Sequence, residues 1–159
     1  MIDHQTAPST DYEQHAAGLR FALLPVRGES IAVATVACML DDGSGVASRI
    51  LAPEEQVPYG AQPVLVAETS VYAAIWAEQL LFSWPMQLPR PWLVLVADVP
   101  ARAPAAVRFR VRALQQRVAG TAWIRYLPSL RSAEGPVDAM RNKDVQRAAA
   151  KLRRHMGGK

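Results

Sequence analysis

The run PVLVAETSVYAAIWAEQLLFSW, residues 63–84, reads as one strand followed by one helix, and its grammar decides the fold. Val64-Leu65-Val66-Ala67-Glu68 is apolar without interruption up to a terminal carboxylate, the pattern of a strand covered on both faces. Thr69 and Ser70 then lead into a helical stretch, Val71–Ser83. The same order returns downstream. Trp92-Leu93-Val94-Leu95-Val96-Ala97-Asp98 reads as a strand, and Pro104 opens a helix with Val107, Val111, Leu114 and Val118 on one face and Gly120 at its end. VLVAE and VLVAD are similar enough to suggest duplication, but two buried strands drawn from a small apolar alphabet converge on such strings anyway.

Upstream, Phe21–Val26 reads as a strand that runs into the turn Arg27-Gly28-Glu29-Ser30. Pro25 removes a ladder donor, so this strand stops early or lies at the side of the sheet. Ile31–Leu40 follows as a helix with Ser30 as N-cap and Asp41-Asp42-Gly43 as its stop. A strand competes there, because Ile31, Val33, Thr35 and Val36 are β-branched. Residues 41–62 read as a long connection holding one short apolar patch, Ile50–Leu51, and room for an extra strand. Thr121–Leu127 is a fourth strand, and a last helix runs between Pro136 and Met156, restarted at Asn142 as an N-cap. Buried strands alternating with helices require parallel pairing through crossovers. The expectation is an α/β, doubly wound three-layer sandwich with a mainly parallel sheet of about four or five strands. Residues 1–17 are expected to be a flexible tail, 18–156 a single domain and 157–159 a short tail.

Composition excludes several classes. The 159 residues are half apolar and one-fifth charged, which is globular composition rather than that of a disordered chain. No apolar stretch is long enough to span a bilayer, and residues 1–17 lack the basic start and apolar run of a signal peptide. A cytoplasmic protein is expected. Cys38 is the single cysteine, so no intrachain disulfide can form, and it reads as a small core hydrophobe. His4, His15 and His155 show no pairing at zinc-site spacing, so no metal site is expected. No G-x-S-x-G elbow exists for a Ser–His–Asp hydrolase. Asp41-Asp42 and Glu54-Glu55 read as solvated loop charge rather than as acid/base pairs.

In an open parallel sheet, ligands bind beyond the carboxyl ends of the strands. Arg27, Gly28, Glu29 and Ser30 follow the first strand, Glu68, Thr69 and Ser70 the second, and Asp98 the third, so all belong on one rim. Backbone amides at Gly28–Ser30 are placed to face a phosphate at a helix start, and Glu68 and Asp98 to hold Mg²⁺ through water. The same residues serve equally as helix caps and solvated loop groups.

Strand, glycine-containing turn, helix and a later apolar strand ending in Asp is an order that resembles a P-loop NTPase. The chain looks like a degenerate relative of the MinD/ParA group, of the actinobacterial plasmid-associated kind, from about Leu19 to Met156. The resemblance implies that Gly28, Glu29 and Ser30 occupy the end of a phosphate-binding loop and Asp98 the acidic, metal-facing strand end. The loop has one glycine and no lysine where the P-loop pattern requires glycines and G-K-[ST]. The resemblance therefore implies a non-catalytic or degenerate protein that acts through association, with a protein partner or as a homodimer, in plasmid or mobile-element partition or transfer. No cofactor is expected on this reading; ATP with Mg²⁺ is the one it leaves open, in a nucleotide-binding enzyme with an atypical loop.

The charge is divided along the chain. Residues 1–100 carry 4 Lys and Arg against 11 Asp and Glu, a balance of −7, whereas residues 101–159 carry 14 against 3, a balance of +11. Such a division favours an anionic partner for the C-terminal third. Lys143, Arg147, Lys151 and Arg154 fall on one helical face opposite Val145, Ala148, Ala149, Leu152 and Met156. With Arg108, Arg112 and Arg117 they suggest a groove for nucleic-acid phosphates, as in a nucleic-acid-binding accessory protein. A solvated helix face is the alternative. Helix Val71–Ser83 carries bulky apolar residues over more than one face, which points to an interface through Tyr72, Trp76 or Trp84.

Overall fold

The computed structural model describes residues 18–41 and 43–157; the expected N-terminal tail and the last two residues lie outside them. Strands β1 (Phe21–Pro25), β2 (Ser48–Ile50), β3 (Gln62–Glu68), β4 (Trp92–Val96) and β5 (Gly120–Ile124) form one sheet. Its order is β2-β1-β3-β4-β5, and every neighbouring pair is parallel. Helices α1 (Ile31–Leu40), α4 (Pro136–Ala139) and α5 (Lys143–Gly157) cover one face. Helices α2 (Val71–Phe82) and α3 (Ala105–Ala113) cover the other. This is the expected α/β three-layer sandwich.

Strand alternation builds the two cores. Val64, Val66, Val94 and Val96 pack with Val33, Val36, Met39, Val145 and Leu152 on the α1–α5 side. Leu65, Ala67, Leu93 and Leu95 pack with Ala73, Ala77, Leu81, Val107 and Val111 on the α2–α3 side. Leu65, Leu93 and Leu95 are completely buried, and each such side chain stabilises the fold by about 1.5–3 kcal/mol through removal from water.

Pro25 sits in a central strand at no hydrogen-bonding cost. The Val26 amide donates to the Val66 carbonyl (3.0 Å), so by alternation residue 25 faces the β2 side. There β2 pairs only with Phe21–Leu23 and has already ended. The extra strand in the connection is β2 itself. After it, residues 51–61 cross to β3 without a helix and cover β1 with Leu51, Val57 and Ala61, which pack on Leu19 and Ala22.

Ile31–Leu40 is a helix because it is the crossover between two parallel strands, which outweighs its β-branched content. Ser30 Oγ accepts the Val33 amide (3.3 Å), and the buried Thr35 hydroxyl donates to the Ile31 carbonyl (2.7 Å). Asp41 ends it and then organises the next turn: its carboxylate accepts the amides of Gly43 (3.1 Å), Gly45 (2.9 Å) and Ala47 (3.0 Å).

Gly120 departs from its expected place at a helix end. Helix α3 stops at Ala113, a 3₁₀ turn follows at Gln115–Arg117, and Gly120 opens β5. The last helix is divided into α4 and α5, with the break at the expected Asn142, whose carbonyl accepts the Gln146 amide (3.0 Å).

Candidate functional site

The chain leaves β1 for β2 on one side and later returns for β3 on the other, so the topological switch point lies between β1 and β3. The crevice there is lined by Arg27, Gly28, Ser30, Ala67, Glu68 and Val96 and holds about 20 Å³. That is room for roughly one water molecule, against about 300–1,000 Å³ for small-molecule sites. Its Ser30 and Arg27, and the neighbouring Ser70, are already engaged. Ser30 caps α1, Ser70 Oγ caps α2 by accepting the Ala73 amide (3.1 Å), and the Arg27 guanidinium stacks 4.4 Å from the centre of the Tyr72 ring. Thr69 is buried and donates to Asp98 Oδ1 (3.2 Å), tying the β3–α2 turn to the end of β4. Glu29 is exposed and, like Asp98, forms no wall of the crevice. The loop from Val26 to Ser30 has five residues, shorter than the eight of a G-x-x-x-x-G-K-[ST] loop.

The basic residues divide between layers. Helices α3 and α5 pack on opposite faces of the sheet, so Arg108, Arg112 and Arg117 cannot share one groove with the α5 stripe. Two of them are engaged locally: Arg108 Nε donates to the Ala103 carbonyl (3.2 Å), and Arg117 stacks 4.4 Å over Phe82. Arg112 is exposed on α3. On α5, Arg147 and Lys151 face β5, whereas Lys143 and Arg154 are exposed elsewhere on the helix.

The space between β5 and α5 is a groove of about 730 Å³. Ile124, Leu127, Ala148 and Leu152 supply apolar wall, and Arg147 and Lys151 supply charge. Asp144, at one end, is held by the Ser129 hydroxyl, which lies 3.0 and 3.1 Å from its two oxygens. At the other end His155 Nε2 lies 2.8 Å from the Thr121 carbonyl oxygen, with its ring edge-to-face against Trp92 at 5.4 Å. A second cleft of about 460 Å³ opens beyond the ends of β4 and β5, where Arg102, Arg125, Trp123 and Tyr126 meet Thr69 and Val99. The two clefts share Trp123, Ile124, Arg125 and Tyr126. Among the described residues the salt bridges are Arg49–Glu55 and Arg110–Glu78, so Arg102, Arg125, Arg147 and Lys151 have no carboxylate partner there.

Helix α2 lies on the sheet through its small residues. Ala73, Ala74 and Ala77 are buried, while Tyr72 and Trp76 are half exposed and meet edge-to-face at 6.3 Å. Trp84 differs from them: its indole Nε1 donates to the Pro89 carbonyl (3.0 Å) and the ring packs against the α2–α3 core. It closes its own loop rather than offering a surface.

Cys38 is half-buried, and burial, reinforced by Asp41, pushes its thiol up from the ordinary cysteine value. Among the described residues no three His, Cys, Asp or Glu side chains gather as a metal site, and no helix is long and apolar enough to cross a membrane. Trp123, Arg125, Tyr126 and His155 were reachable as members of a strand and a helix, but nothing in their spacing marks that strand as the outer one. No family profile matches the chain, and no curated protein or solved structure matches it either.

Proposed function

We propose that this chain is a non-catalytic α/β protein that works by association, with the β5–α5 groove as its binding surface. The observation that carries the reading is a contrast within one molecule. The switch-point crevice, where a nucleotide would sit, holds about 20 Å³ and its one hydroxyl, Ser30, is spent on a helix cap, whereas the groove offers about 730 Å³ with Arg147 and Lys151 lacking a carboxylate partner among the described residues. Unpaired cations beside apolar wall suit an anionic macromolecule, since charge steers the encounter and apolar contact holds it.

Calorimetry with ATP, ADP and Mg²⁺ tests the non-catalytic half: no heat of binding is expected up to millimolar nucleotide. Micromolar binding that Ser30→Ala or Asp98→Asn weakens would return the switch-point rim to the centre of the protein's function. The charge-reversed pair Arg147→Glu with Lys151→Glu tests the other half, and is expected to abolish retention on an immobilised anionic polymer while leaving the melting temperature within a few degrees.

A further inference from the structure

Among the described residues β5 ends the sheet, and no strand pairs with its outer edge. Ile124 gives its carbonyl to the Ala97 amide of the β4 side (2.9 Å). Backbone groups alternate sides along a strand, so Thr121, Trp123 and Arg125 turn their N–H and C=O groups away from β4. The Thr121 carbonyl is taken by His155. Among the described residues the backbone groups of Trp123 and the amide of Arg125 have no partner and can extend a ladder. The 730 Å³ groove flanks this same edge, and it shares four consecutive residues, Trp123 to Tyr126, with the 460 Å³ cleft past the strand's carboxyl end. An extended segment laid along the edge sends successive side chains to opposite faces, one set toward the α5 groove and the other toward the face that carries Trp123 and Arg125.

We infer that an extended, acidic segment of a partner protein adds to β5 as a sixth strand. This rests on the association reading above and names its partner class. The acidic character follows from charge complementarity: Arg147 and Lys151 wait in one cleft, Arg102 and Arg125 in the other, and none has a carboxylate partner among the described residues. A peptide fits better than a nucleic acid. The basic side chains of α3 and α5 lie on opposite layers and form no continuous track for a phosphate backbone, while free strand amides and apolar wall are what strand addition uses. Trp123, 42% exposed beside the free amides, offers the aromatic anchor such interfaces favour.

The test is fluorescence anisotropy of a labelled eight-residue peptide, Val-Val-Glu-Glu repeated twice so that both faces of the strand carry carboxylates, read against four forms of the full chain. Trp123→Pro removes an outward-facing amide, a substitution that edge strands tolerate, and Trp123→Ala removes the ring while keeping the amide. Lys151→Glu reverses one groove charge. Saturable binding that falls about tenfold in Trp123→Pro, less in Trp123→Ala, and about tenfold in Lys151→Glu supports strand addition, provided circular dichroism shows each variant folded. Should Trp123→Pro unfold, a peptide N-methylated at alternate residues replaces it, with the same loss expected. Binding that depends on Lys151 but ignores both Trp123→Pro and N-methylation overturns strand addition and leaves the association reading standing. Tighter, Lys151-dependent binding of a duplex oligonucleotide, or self-association abolished by Trp123→Pro, overturns the acidic peptide in favour of nucleic acid or a second copy. Failure of every probe at millimolar concentration overturns the sixth strand, and if Arg147→Glu with Lys151→Glu also leaves retention on the anionic polymer unchanged, the association reading falls with it.

Discussion

Gly120 opens β5 directly against the indole of Trp92: a β-carbon at Gly120 would lie 2.5 Å from two of the ring carbons. The two residues are register partners across β4 and β5, so the strand can begin there only if its first residue has no side chain. The ring cannot easily withdraw, because it also packs against His155 and the α1–α5 core. Gly120→Ala is therefore expected to destabilise by about 1–3 kcal/mol, the range for overpacking a fitted site. Urea unfolding measures it, and Trp92→Phe in the same background should recover part of the loss by vacating the space.

Asp41 gathers three amides of the turn that carries the chain from α1 to β2. Removing the carboxylate strands those donors at the surface or half-buried, and hydrogen bonds to charged groups contribute about 1.5–3 kcal/mol each when well formed. Partial exposure lowers the sum, so Asp41→Ala is expected to cost about 2 kcal/mol in all. Asp41→Asn should cost less, since one acceptor oxygen remains. Amide hydrogen exchange at Gly45 and Ala47 should speed up in both variants.

The Arg49 guanidinium makes two contacts with Glu55, at 2.7 and 2.6 Å, and holds its carboxyl below the ordinary glutamate range. A depressed carboxylate stabilises the fold above its unfolded pKa, and that contribution is lost as pH falls through the lower folded value. Both side chains are about one-third exposed, so the pair contributes at most about 1 kcal/mol. Glu55→Gln should lower stability slightly at neutral pH and leave it unchanged at the acid end, a difference visible in melting curves between pH 3 and pH 7.

Cys38 carries the opposite sign. Burial raises its pKa first and the nearby Asp41 second, so the folded chain prefers the neutral thiol. Its contribution is complete below the unfolded pKa and is lost as pH rises through the raised folded value. Thiolate is the reactive form, so alkylation near pH 8 is expected to be several-fold slower than for the denatured chain. Equal rates in the two states would contradict a half-buried, raised thiol.

The alternation of strand and helix was readable because the central strands are buried on both faces and so must be apolar throughout. Val64–Glu68 and Trp92–Val96 could hardly be anything else. Ile31–Leu40 needed more than local preference: its helical state follows from the parallel pairing of β1 with β2, a contact made only in three dimensions. Gly120 shows a similar limit. A glycine after a helical run reads as a stop signal, whereas its role is to clear space for Trp92, which is distant in sequence. The basic residues of α3 and α5 were visible as charge, but α3 is the crossover from β4 to β5 whereas α5 follows the last strand and folds back on the opposite face, so their separation could not be read from spacing. The outer strand edge was hidden as well: Thr121–Leu127 gave no sign of being the last strand of the sheet among the described residues.

The sheet's two borders are unequal. Strand β2 is three residues long and is flanked by the Arg49–Glu55 pair, while β5 presents an open run beside two clefts. Head-to-tail stacking of copies would require both borders of the same molecule to pair, and β2 offers a ladder of three residues only. A strand added to β5 is therefore expected to end the sheet's growth, giving complexes of fixed stoichiometry rather than filaments.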